Sequence, residues 1–183
     1  IALANTINGL SYYVDEINPD AIIVAAGCYV QAAEEAVKED TAIDLVIGNN
    51  CKGQIVSMVE EFMRGREKRI QTIDINHTCD YEVMSISKVS EHTRAYIKIQ
   101  DGCNQFCSYC KIPYVRGRLR SRDCNDVIDE ITALSEKGYK EVVITGIHLS
   151  SYGLDKSDTK SFVELKGKPL LELLGEIENI SGI

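Results

Sequence analysis

The sequence predicts an α/β fold: a parallel-sheet amino-terminal domain, followed by a second unit of strands and helices. Two patterns carry the prediction. Short apolar runs rich in β-branched residues recur along the chain, and they are continuous rather than alternating, as in strands buried on both faces. Several lead, through a Gly or a polar turn, into stretches with helical periodicity. Strand–helix–strand–helix order is the signature of a parallel layer.

Asp20 to Ala26 is the first such run, ended by Gly27-Cys28, and Tyr29 to Lys38 reads as a helix. Ile43 to Gly48 is the second strand, closed by Asn49 and Asn50. Gln54 to Arg64 is a helix with Ile55, Met58, Val59 and Phe62 on one face. Glu67 to His92 is polar and irregular, with extended pieces near Tyr81 to Val89. It reads as a linker between domains at 1–66 and 93–183. In the second unit, Ala95 to Ile99 is a strand that runs into a cysteine-bearing loop. Asp123 to Lys137 is a helix with Asp126 as N-cap, or Asp123 if the helix starts earlier. Its buried stripe is Val127, Ile128, Ile131 and Leu134, and Gly138 ends it. Lys140 to Gly146 is the next strand, and Leu170 to Ile180 the next amphipathic helix.

Composition narrows the functional classes. The chain has 183 residues, 44% of them hydrophobic, which is ordinary for a folded soluble protein. No apolar run approaches the 18 residues or so that a membrane span needs, so no membrane association is expected. No basic-then-apolar leader opens the sequence. Seven unevenly spread cysteines argue against a secreted disulfide framework. They argue for a reducing compartment, the cytoplasm, with metal-bound or reactive thiols. A net charge of −8 does not by itself suggest nucleic-acid binding. One local cluster runs the other way: Lys111, Arg116, Arg118, Arg120 and Arg122 place five cations in twelve residues with no acid among them. Such a run is either a solvated or ion-paired face or a phosphate clamp.

The chemistry is concentrated in Asp101-Gly-Cys-Asn-Gln-Phe-Cys-Ser-Tyr-Cys-Lys111. Cys103, Cys107 and Cys110 form C-x3-C-x2-C. Three thiolates at this spacing can hold three irons of a 4Fe-4S cube and leave the fourth iron open to an exogenous ligand. Radical use of S-adenosylmethionine requires such an iron. A zinc site completed by His92 or His148, or three unlinked thiols, are the alternatives. The loop and the Thr145-Gly146-Ile147-His148 turn both follow strands, and in barrel-type folds the active site lies at those strand ends. Thr145 and Gly146 are therefore candidate cofactor contacts.

These residues carry a family likeness. Thr93-Arg-Ala-Tyr-Ile-Lys-Ile-Gln-Asp-Gly-Cys-Asn104, Cys107-Ser-Tyr-Cys-Lys-Ile-Pro-Tyr114 and Arg116-Gly117 resemble the radical S-adenosylmethionine methylthiotransferases. Two branches of that family modify tRNA adenosines and one a ribosomal-protein aspartate. The run Gly117 to Asp123, with Gly138 to His148, looks most like the bacterial branch acting on threonylcarbamoyladenosine beside the anticodon. The other two branches typically show Gln where this chain has Ile147. Asn18 to Ala33 resembles the end of the family's amino-terminal domain, and the likeness covers about residues 17 to 183.

The resemblance implies that the second unit is the beginning of a radical SAM partial (β/α) barrel. It implies two 4Fe-4S clusters in the complete protein, one on Cys103, Cys107 and Cys110 and an auxiliary one with Cys28 among its ligands. The first would reduce S-adenosylmethionine to methionine and a 5′-deoxyadenosyl radical that removes hydrogen from C2 of the adenine. The auxiliary cluster would present the sulfur, and Tyr109 would lie against the cofactor's adenine. Implied partners are the tRNA anticodon loop, a sulfur donor, and an electron donor such as a flavodoxin or ferredoxin. Cys51, Cys79 and Cys124 match no ligand of the family. The family's other two auxiliary-cluster cysteines have no counterpart here, and neither does its carboxy-terminal RNA-binding domain. The expectation is a partial enzyme, inactive alone. The rival from another class is a zinc-stabilised nucleic-acid-binding module that uses the same cysteines.

Overall fold

A computed structural model describes residues 18–65, 67–78, 80–83, 94–156 and 167–183. The chain divides into two compact units, Ile1–Thr78 with Tyr114–Arg116, and Cys79–Pro113 with Gly117–Ile183.

The first unit is built on three parallel strands, β1 (Val24–Ala26), β2 (Leu45–Ile47) and β3 (Arg69–Gln71), in that order across the sheet. Val24 pairs with Leu45, and Leu45 with Arg69. All three residues of the central strand are fully buried, because alternate side chains feed two cores. Val46 packs with Ile23, Val30, Val37 and Ile43. Leu45 and Ile47 pack with Cys51, Met58 and Phe62. The first core is closed by α1 (Cys28–Ala32) and α2 (Glu34–Glu39), the second by α3 (Ile55–Gly65). Met58 and Phe62 stand four residues apart on one face of α3 and are buried, whereas Ile55, expected on that face, is exposed.

Two local expectations are corrected. The helix expected from Tyr29 to Lys38 is broken at Ala33, which ends α1 and begins α2. Both short helices are tied to the segment after β3. Gln31 Nε2 donates to the Ile73 carbonyl at 3.1 Å, and the Thr72 hydroxyl donates to Glu34 at 2.7 Å. The polar stretch read as linker contributes β3, an edge strand whose Ile70 is exposed. Extended structure expected around Met84 to Val89 falls outside the described residues, as do His92 and Cys79.

In the second unit β4 (Arg94–Lys98) runs parallel to β7 (Glu141–Thr145) in register from Arg94–Glu141 to Lys98–Thr145. Helix α5 (Cys124–Glu136) lays Val127, Ile131 and Leu134 over Ala95, Ile97 and Ile99. Leu173 and Ile177 of α6 (Lys168–Glu178) join the same core. Asp123 is the N-cap of α5 and accepts from Asn125 N at 2.9 Å, which decides between the two expected caps. Gly138, at φ +91°, ends the helix in a left-handed conformation that suits glycine. An antiparallel pair unforeseen in the sequence, β5 (Gln100–Asp101) with β6 (Arg120–Ser121), lies beside this sheet. Between them the chain makes an excursion that carries all three cysteines and the short helix α4 (Ile112–Val115).

Candidate functional site

The cysteine excursion is braced at its root. Gln100 pairs with Ser121 and Asp101 with Arg120, and Arg122 N donates to the Ile99 carbonyl at 2.8 Å. Ser121 N and its hydroxyl both donate to the Asp155 carboxylate, and the Ser121 oxygen accepts from Gly153 N at 2.8 Å. The Tyr152 hydroxyl donates to the Arg122 carbonyl at 3.0 Å, and burial pushes that phenol up to about 12. Inside this frame Gly102 adopts φ +70°. A Cβ there would sit 1.9 Å from the Arg118 carbonyl oxygen, so the two limbs of the excursion can meet only at a glycine. Cys103 N donates to the Gly117 carbonyl at 3.1 Å, and Leu119 N to Asn104 Oδ1 at 3.1 Å.

Cys103 is buried at this root, Cys107 is exposed, and Cys110 is half-buried in a turn closed by Cys110 N donating to the Cys107 carbonyl at 2.9 Å. All three are free thiols. One loop thus carries the three sulfurs, but it does not draw them onto one centre. Among the described residues, no three Cys, His, Asp or Glu side chains are gathered for a metal. The donor set nevertheless fits an iron–sulfur cluster. It offers three unpaired thiols at the right spacing on a braced loop, and Cys103 Sγ already accepts a backbone N–H, from Gln105 at 3.5 Å. For the zinc alternative, His148 Nδ1 shares a 2.6 Å hydrogen bond with the Ser151 hydroxyl, and among the described residues His148 is not gathered with the cysteines as a metal-binding group.

Thr145 and Gly146 lie at the end of β7, level with the end of β4. The Thr145 hydroxyl donates to the Ile97 carbonyl at 3.3 Å, so that side chain is engaged with β4. Gly146 is exposed, and Tyr109 is 89% exposed, its ring open to a ligand.

The basic run does not form one face. Lys111 and Arg118 are exposed, and Arg118 stacks over the Phe106 ring at 4.4 Å. Arg116 is half-buried. Arg120 is 1% exposed and donates to the Arg118 carbonyl. Arg122 is 5% exposed and ion-paired with Glu130 of α5. The five-cation phosphate clamp is therefore corrected at Arg120 and Arg122. The whole run from Leu119 to Arg122 is buried, so these two side chains lie inside the root of the loop and brace it.

In the first unit, Cys28 opens α1 directly after Gly27, a free and half-buried thiol. Asn49, 4% exposed, places its Nδ2 3.5 Å from Cys28 Sγ. Neither Asn49 nor Gln100 stood out in the sequence. Asn49 passed as a turn residue. The available signal for Gln100 was an amide at the end of an apolar strand, where a buried polar group needs partners.

Residues 97–179 match the radical SAM superfamily. The chain is 37% identical over 172 residues to the threonylcarbamoyladenosine tRNA methylthiotransferase MtaB of Aquifex aeolicus, a match covering 94% of this chain and 40% of that protein. It is 36% identical over 178 residues to the ribosomal protein uS12 methylthiotransferase RimO of Dictyoglomus thermophilum, covering 96% and 38%. It is 35% identical over 171 residues to the tRNA-2-methylthio-N(6)-dimethylallyladenosine synthase of Carboxydothermus hydrogenoformans, covering 91% and 36%. The chain thus spans 40% or less of the length of these relatives.

Proposed function

Since the chain belongs to the radical SAM methylthiotransferases, we propose that its protein attaches a methylthio group to C2 of N6-threonylcarbamoyladenosine at position 37 of tRNA. The observation that carries the reading is the braced C-x3-C-x2-C excursion at the end of β4, level with the end of the neighbouring parallel strand β7. Cys103, Cys107 and Cys110 would hold the radical SAM 4Fe-4S cluster, and Cys28 would contribute to an auxiliary one. When bound, the first cluster supplies one electron to S-adenosylmethionine, which gives the radical chemistry needed at an unactivated aromatic carbon. The protein's own part is positional. Gly102 lets the limbs of the excursion close, and Asn104 holds Leu119 across it. Exposed Tyr109 offers an apolar face to an adenine, and Gly146 leaves the end of β7 open.

The choice of threonylcarbamoyladenosine over dimethylallyladenosine or a ribosomal aspartate is supported by Ile147, by the run Leu119-Arg-Ser-Arg122, and by the Aquifex relative. That run is largely buried, so it supports the reading as a mark of how this branch builds the root of its loop rather than as an RNA contact. On this reading a tRNA substrate would be met in the cytoplasm. No described helix is long and apolar enough to cross a membrane. On this reading the sulfur would come from a separate sulfur donor and the electrons from a donor such as a flavodoxin or ferredoxin.

The test is mass spectrometry of tRNA nucleosides and of the ribosomal protein from a strain lacking the gene. Loss of the 2-methylthio form of threonylcarbamoyladenosine, restored by the parent gene and not by Cys107→Ala, is expected. Loss of the dimethylallyl form or of the modified aspartate instead would assign one of the other branches.

A further inference from the structure

We propose that Gln100 is a positioning residue that couples the cysteine loop to the turn after β7, and so sets where S-adenosylmethionine lies relative to the cluster. The inference rests on the radical SAM reading above and adds a residue to it. The Gln100 side chain is 0% exposed. Its Nε2 donates to the Asp101 carbonyl at 2.9 Å and to the Gly102 carbonyl at 2.6 Å. Its Oε1 accepts from His148 N at 2.8 Å.

The orientation of the amide is fixed by this pattern. Turned over, its carbonyl would face two carbonyls and its NH2 would face an N–H. One side chain therefore holds the residue before Cys103 with one end and the residue two after Gly146 with the other. Gly146 is fitted to Gln100 and Leu149 together: a Cβ there would meet Leu149 Cδ2 at 2.9 Å, Gln100 Oε1 at 3.0 Å and Gln100 Cβ at 3.1 Å. The last backbone bond between the two strand ends runs from Ile99 N to the Thr145 carbonyl at 3.0 Å, and one residue further on this amide continues the link to the turn after β7. Nothing about Gln100 suggests a proton-transfer or ligand role. It is sealed from solvent, and all its bonds go to backbone.

Chemically this matters because electron transfer to a sulfonium and hydrogen abstraction depend on placement. A displacement of about 1 Å far from the reacting atoms can cost about 100-fold in rate. The amide's two ends can be separated by substitution. Gln100→Glu has the same shape and keeps an acceptor for His148 N, but sets a carboxylate against the Asp101 and Gly102 carbonyls. Gln100→Met keeps the volume and loses both ends.

The experiment uses the full-length protein, anaerobically reconstituted, and has two readouts. The first is amide hydrogen exchange of the protein before iron is added. His148 N–H should stay protected in Gln100→Glu and lose protection in Gln100→Met. The second follows reconstitution. Both variants should retain parental iron and cluster absorbance while deoxyadenosine formation falls about 10- to 100-fold. The change that S-adenosylmethionine makes in the electron paramagnetic resonance spectrum of the reduced cluster should be altered or abolished. Parental exchange, cleavage rate and spectral change in both variants would overturn the inference. So would variants that lose iron in proportion to activity, since Gln100 would then only hold the loop together. A parent protein that carries no iron–sulfur cluster would overturn the functional reading and the catalytic part of this inference, while the exchange result would still decide the link itself.

Discussion

Replacing Gly102 with Ala should be far more damaging than a one-methyl change at a loop glycine usually is. Two effects add. At φ +70° an L-residue with a Cβ pays about 1–2 kcal/mol in backbone strain. The new Cβ would also stand 1.9 Å from the Arg118 carbonyl oxygen and 2.6 Å from its carbon, both backbone atoms that cannot swing aside. Ordinary contact begins near 3.4 Å, so the returning limb must retreat by about 1.5 Å. That retreat breaks the bond from Cys103 N to the Gly117 carbonyl and strains the Asp101–Arg120 pair next to it. A buried N–H left without its acceptor adds about 1–3 kcal/mol, for a total of about 2–5. Gly138 is the matched control: it has φ +91°, and nothing lies within 4 Å of a Cβ built there. Gly138→Ala should therefore cost only the strain, about 1–2 kcal/mol. Urea unfolding read by circular dichroism, with m unchanged, measures both. If the two substitutions cost the same within about 0.5 kcal/mol, the close approach of the two limbs is not what requires glycine at 102.

Other substitutions separate the remaining roles. Salt titration of tRNA binding by the full-length protein should lose about one unit of slope for Lys111→Ala and for Arg118→Ala, the exposed cations. Arg122→Met should leave that slope intact and destabilise the fold by up to about 3–5 kcal/mol through the loss of its buried ion pair with Glu130; an altered slope would mean that Arg122 turns outward to phosphate. At neutral pH Asp123→Ala should cost about 1 kcal/mol for the lost helix cap, and Asp123→Asn, which still caps, much less. The Asp123 carboxyl is held below its usual 3.8 by the Lys156 ammonium first and the Asn125 N–H second. Its charge therefore stabilises the fold above pH 3.8 and ceases to as pH falls through the lowered folded value. The parent should lose stability more steeply than Asp123→Asn below about pH 4, and parallel acid-unfolding curves would discard this linkage.

Much of the architecture was legible because burial on two faces leaves a local mark. Leu45-Val46-Ile47 and Val142-Val143-Ile144 read as strands from composition alone, and Gly138 and the Met58–Phe62 face marked helix boundaries and burial correctly. What escaped was set by distant partners. β3 is an edge strand in which only Ile70 is apolar, and pairing with β2 makes it a strand. β6 is two residues, Arg120 and Ser121, whose pairing with Gln100 and Asp101 spans the whole excursion. The same blindness left a charge count open between a clamp and an ion-paired face: sequence shows five cations, but only the hairpin shows that two of them are buried, Arg122 in an ion pair with Glu130. The cysteine triplet can be proposed from the sequence for the opposite reason, since the chemistry expected of it depends on spacing within one short segment.

The pinned root of the cysteine excursion has a consequence for how a metal would be assembled on it. With the segment's ends stapled by β5 and β6, the three thiols would act as a single tethered multidentate ligand, so once one sulfur had captured iron the others would meet it at an effective concentration in about the millimolar range. The natural starting point is Cys103, whose backbone is already fixed. Cys110 and the solvent-facing Cys107 would then fold in from the tip, a chelate closed like a drawstring from its anchored end. The same gradient decides vulnerability: an oxidant arriving from solvent meets the tip thiol first, while the buried anchor at the root remains sheltered.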